Sequence, residues 1–148
     1  MEEIIIELLS ALVGSLGFSM MFNSPKRTLL PAIIGGMLGW GVYLIFEAMN
    51  LGVFISTVIS AAFCQIYSEV FSRIQKTPRT VFYIPSIIPL VPGGSLYYTV
   101  YHAALTDWAQ VKYYGSMTVQ VAFGIAVGSS FVSAIVLLMF PKKNTTAV

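Results

Sequence analysis

The stretch "TVFYIPSIIPLVPGGSLYYTV", residues 80–100, decides how this chain is read. It is long and apolar enough to cross a bilayer, yet it carries Pro85, Pro89 and Pro92, followed by Gly93 and Gly94. Each internal proline removes a backbone donor and clashes with the preceding turn, at about 3 kcal/mol in an ordinary helix. In hydrocarbon, irregular backbone persists only where protein or a water-filled cavity covers it. The pattern therefore predicts two half-helices, about 80–90 and 95–106, parted by Pro92-Gly93-Gly94, with Ser95 as the N-cap of the second. The bared amides and positive dipole end of that second half would point into the membrane interior and suit an anionic group. Transporters build substrate sites near the midplane from discontinuous helices of this kind. A structural helix that is merely kinked remains the alternative, although one kink needs one proline rather than three and a diglycine.

Composition agrees with a membrane solvent. Of the 148 residues, 57% are hydrophobic and only 9% charged, with a mean hydropathy of +0.82. Soluble domains carry about 25% charged residues. The single Cys64 excludes an internal disulfide, and no zinc or iron–sulfur ligand spacing is present. The start "MEEIIIELL" is acidic rather than basic, so it reads as a retained first span and not as a cleaved signal.

Working outward, five apolar stretches can be marked, at about 4–22, 29–47, 51–71, 80–106 and 116–140. Each is near the ~20 residues a spanning helix needs. The connections are short and polar, so the expectation is a single all-α transmembrane domain over 1–148, its fourth span discontinuous. Lys26 and Arg27 follow span one, Arg73, Lys76 and Arg79 follow span three, and Lys142 and Lys143 follow span five. With five crossings these fall on one side, which the positive-inside rule makes cytoplasmic: N-terminus out, C-terminus in. Tyr97, Tyr98, Tyr101, Trp108, Tyr113 and Tyr114 gather at the opposite interface, as amphipathic rings do.

The ionisable groups lie near span ends. Glu7 and Glu47 read as interfacial charges; Glu69 and Arg73, four apart, read as an intrahelical pair. His102 and Asp107 at the outer end of span four are solvated in the simplest reading, with proton handling as the alternative. Uncharged polar groups are better site candidates. Ser56, Thr57, Ser60 and Gln65 run along span three; Gln120, Ser129, Ser130 and Ser133 mark span five. Hydroxyls bond readily to their own helix, whereas Gln65 and Gln120 are less easily satisfied and are candidates for lining a cavity. The pairs Gly35/Gly39 and Gly124/Gly128 offer close backbone approach, either within the chain or to another subunit.

Together, "TPRTVFYIPSIIPLVPGGSLYYT" and "MFNSPKR" at residues 21–27 resemble the signature of the ThrE-type threonine/serine exporter family, in its short second half. Ser86 stands where that motif often has a smaller residue, glycine. The resemblance implies export of small amino acids, or of small dicarboxylates such as succinate. It also implies a larger membrane subunit as partner. Read onto this chain, the substrate would bind near Pro89, Pro92, Gly93, Gly94 and Ser95, with Gln65 and Gln120 lining the cavity. Asn23 and Arg27 would shape the cytoplasmic entrance. An odd number of spans points to incompleteness too, since a five-span unit pairs naturally with another of opposite orientation.

No nucleotide-binding loop occurs, and neither a cofactor nor a nucleic acid is expected. One histidine, with no G-x-S-x-G and no metal cluster, argues against an intramembrane enzyme. The rival reading is a non-transporting assembly subunit of a membrane complex. The expected location is the cell membrane, crossed several times.

Overall fold

A computed structural model describes residues 2–139, whose regular structure is all helix, with no strand among them. The chain runs α1 (Glu2–Met21), α2 (Lys26–Ala48), α3 (Val53–Gln75), α4 (Thr80–Ile87), a 3-10 turn (Ile88–Leu90), α5 (Gly93–Ala104) and α6 (Trp108–Met139). α1, α2, α3 and α6 are each long and apolar enough to cross a membrane. α4 and α5 form a fifth candidate span, bent by 48°. Lys142 and Lys143, used above for orientation, lie outside the described residues.

Four helix ends close in the same way. Asn23, Asn50, Lys76 and Thr106 take left-handed backbone, at φ 50°, 57°, 49° and 57°. In each case the next amide donates five residues back, as Ser24 does to Ser19 (3.1 Å) and Asp107 to His102 (3.0 Å). This closure satisfies carbonyls that the helix end would otherwise strand. The α4–α5 junction has no such closure. There Val91 is extended (ψ 128°) and Pro92 follows, so the chain bends onward instead of reversing.

The bundle is inverted relative to a soluble protein. Ser15, Ser19, Thr28, Ser56, Thr57, Ser60, Ser68 and Ser86 are wholly buried, while Leu30, Phe123, Phe131 and Leu138 face outward. Lipid gives helices no hydrophobic reason to associate, so close contact between small residues holds them together. Both glycine pairs serve this purpose within the chain. A Cβ on Gly39 would strike the Cys64 thiol; one on Gly128 would strike the Val58 carbonyl, and one on Gly124 would lie 2.9 Å from Thr57 Cβ. α2 thus meets α3 and α4, and α6 meets α3, at backbone distance. Ala61, Cys64, Ile87 and Leu90 form the apolar centre of this seam.

α1, α2, α3 and α4 pack as a group around that centre. α5 stands apart: it buries no residue of its own and packs mainly on the first half of α6.

Candidate functional site

The prolines free backbone carbonyls as well as removing amides. Pro89 has no N–H to give the carbonyl four residues back, at Pro85. That carbonyl is instead capped from α1, where Ser15 Oγ donates to it at 2.9 Å across the bare surface of Gly36. Cys64 Sγ donates to the Ser86 carbonyl at 3.5 Å, and Ser86 Oγ donates to Phe82 O at 2.7 Å. The irregular stretch is therefore covered by α1, α2 and α3, as membrane burial demands.

One expectation needs correction. Ser95 is not the N-cap of the second half-helix; Pro92 is, and α5 begins at Gly93. Gly93 and Gly94 therefore belong to the helix, and the break is Val91-Pro92. The first turn of a helix needs no intrahelical donors, so the chain resumes as soon as the last proline is passed. Ser95 sits in that turn and its hydroxyl donates back to Pro92 O at 3.2 Å. Leu96 N–H takes Pro92 O at 3.0 Å, and Gly93 N–H reaches Val91 O at 2.7 Å. Among the described residues the Gly94 and Ser95 amides have no acceptor, and no side chain caps them.

Those amides border a cavity of about 450 Å³. Pro89, Leu90, Pro92, Gly94 and Ser95 form one wall, and Trp40, Tyr43, Thr57, Tyr98 and Tyr114 line the rest. Its rings are ordered by stacking: Trp40 on Tyr43 at 5.0 Å, Tyr98 on Tyr114 at 5.2 Å, and Tyr114 on His102 at 5.6 Å. Trp40 is also held from behind, its Nε1–H donating to Glu7 Oε2 at 3.2 Å. Amide donors and electron-rich rings around one cavity make a chamber able to take a carboxylate and a cationic ammonium together.

The other expected residues lie elsewhere. Gln65 is buried one helical stretch away, its Nε2–H donating to Ser133 Oγ at 3.0 Å and joining α3 to α6. Gln120 points out of the bundle. Asn23 borders a smaller cavity of about 250 Å³ with Thr80 and Pro85. Its left-handed backbone also explains the residue type, because asparagine tolerates that region. Arg27 Nη2–H donates to Thr77 Oγ1 at 3.3 Å, tying the start of α2 to the α3–α4 turn. Glu69 and Arg73 pair at 2.8 Å, as their spacing predicts, and His102 Nδ1 lies 3.7 Å from Asp107 Oδ2. Trp40 and Tyr43 escaped the sequence reading because α2 is apolar all round; the hydrogen-bonding tips of both rings were the available signal.

No solved structure matches the chain. A family model described as "Threonine/Serine exporter, ThrE" matches residues 7–135, taking in both the Asn23–Arg27 motif and the whole broken span. The chain is a multi-pass membrane protein, and it belongs to the threonine/serine exporter family, ThrE.

Proposed function

We propose that the chain is the small subunit of a secondary exporter in the cell membrane, working with a larger membrane subunit of the same family. Its substrates are small carboxylate-bearing metabolites: threonine and serine, or small dicarboxylates such as succinate. It carries out transport rather than catalysis, as one transmembrane domain of five spans with the N-terminus out.

The observation that carries this reading is the chamber at the break. The substrate carboxylate would lie against the Gly94 and Ser95 amides and its ammonium against Trp40 or Tyr98. The partner is supported by surface left uncovered: α5 buries nothing, and the polar Gln120 and Ser116 lie exposed on α6. A polar amide facing hydrocarbon is costly, and a second subunit would relieve it. Arg27 and Asn23 would flank the cytoplasmic approach.

Efflux from reconstituted vesicles tests the reading. A Cβ at Gly94 meets nothing within 4 Å and the backbone there is helical, so Gly94→Ala should fold normally. It would nonetheless crowd the free amides. Loss of efflux in a normally folded Gly94→Ala protein supports the site. Unchanged efflux removes the amides from the mechanism. No efflux of any small acid, with or without the larger subunit, leaves the assembly-subunit reading standing.

A further inference from the structure

A second cavity lies on the same α3–α6 seam as the chamber, displaced toward the end that carries Arg73, Lys76 and Arg79. Its volume is about 420 Å³, and Gln65, Arg79, Tyr83, Ser129, Ser130 and Ser133 line it. A wider depression of about 690 Å³ adjoins it and shares Arg79 and Ser133. From Thr57 in the first chamber to Gln65 in this one is eight residues of α3, or about 12 Å of helix rise. Between the two, Ala61 and Cys64 pack on Ile87, and Gly128 abuts Val58, closing the seam.

The polar inventory of this cavity is lopsided. The Arg79 guanidinium has no acidic or hydrogen-bonding partner among the described residues. Among the described residues the Ser130 hydroxyl donates to nothing and Ser133 only accepts, from Gln65, while the Tyr83 hydroxyl is engaged with that of Ser129. Ser129 is spent on its own helix, donating to Ile125 O at 2.6 Å. Gln65 is 4% exposed, and its Oε1 has no donor. That oxygen is not among the buried atoms sealed from every partner, so it opens onto the cavity. An amide oxygen left unpaired at a cavity wall is free to accept from a ligand.

We propose that this polar cavity is a second binding station for the transported acid, a small carboxylate that also bears an N–H or O–H donor. Arg79 binds the carboxylate, which its planar fork fits. The Ser130 and Ser133 hydroxyls supply further donors. Gln65 Oε1 is the carbonyl acceptor of the cavity, stronger than the hydroxyls around it, and it takes the ligand's ammonium or hydroxyl hydrogen. The station holds substrate on the charged side of the closed seam, and the chamber at the break receives it on the other. The inference rests on the exporter reading for the direction of traffic, but the chemistry of the cavity does not depend on it.

The test compares L-serine, which carries both kinds of group, with succinate, which as a dianion offers no donor. Reconstituted exporter with Arg79→Gln should show KM for both acids raised ten-fold or more, and Arg79→Lys should recover part of the loss. Gln65→Leu should raise KM for L-serine several-fold while leaving succinate unchanged. Unaltered KM values in folded Arg79→Gln and Gln65→Leu overturn the station, whatever the wild type transports. Equilibrium binding of L-serine to the purified chain in lipid nanodiscs separates the two ideas. Binding that vanishes in Arg79→Gln, with no efflux by the wild type, retains the station and sinks the exporter reading.

Discussion

The hydroxyl of Ser86 fills the space that Gly35 leaves by having no side chain. A Cβ on Gly35 would collide with Ser86 Oγ and come within 2.7 Å of the Tyr67 ring. Helix α4 can therefore carry a serine in its buried face because α2 withdraws opposite it. Gly35→Ala should destabilise the protein by about 1–3 kcal/mol through overpacking. Ser86→Gly in the same chain should return part of that loss, leaving the share due to Tyr67. Thermal unfolding in detergent of both single variants and the double variant measures the coupling; strict additivity would show that the two positions do not touch.

Ser15 and Pro89 act on one carbonyl, although they are far apart in sequence. With Pro89 in place, Pro85 O depends on Ser15 for its hydrogen bond. Ser15→Ala should cost about 1–3 kcal/mol, the penalty of a stranded buried acceptor. In a Pro89→Ala background an amide is restored four residues on, and the same change should cost visibly less. Equal costs in the two backgrounds would mean that the Ser15 bond is incidental.

Ser56 presents the opposite case. It is wholly buried and its Oγ finds no partner among the described residues. Ser56→Ala removes a desolvated hydroxyl that gains nothing, so melting should stay level or rise, by the equivalent of up to about 1 kcal/mol. A clear fall in melting temperature would reveal a partner for that oxygen.

The glycines divide by surroundings. At Gly128 an added methyl would press on Val58 O and come within 3.1 Å of Ala61 Cβ, whereas at Gly17 it would meet nothing within 4 Å. Gly128→Ala should lose about 1–3 kcal/mol and loosen α6 from α3. Gly17→Ala should be neutral or gain up to about 1 kcal/mol from better helix propensity. Similar effects at both positions would contradict the packing of α6 described here.

Much of this architecture was readable beforehand, and the reasons differ between elements. Spans one to three and five announced themselves by length and apolarity, since a bilayer imposes both. The broken span was legible because prolines and glycines act locally. Its exact joint was not, for whether Gly93 begins a helix depends on what Pro92 does with its own carbonyl. Gln65 could be singled out as hard to satisfy, but its partner, Ser133, lies 68 residues away. The sequence pairs no such residues. Gln65 and the Pro92–Ser95 turn thus looked like parts of one site and line two separate cavities instead. Arg79 was noticed only as a charge that orients the chain; its place beside the serines of α6 needs the fold.

The 48° joint at Val91-Pro92 has the shape of an elbow whose forearm leans mainly on α6. α5 has twelve residues, giving an arm about 18 Å long. Each further 10° of flexion would swing its tip by about 3 Å, roughly a water's width, at that helical rise. Spin labels at Val100 and Leu38, both exposed, would read such strokes directly. A separation that stays fixed through the transport cycle would show the elbow locked.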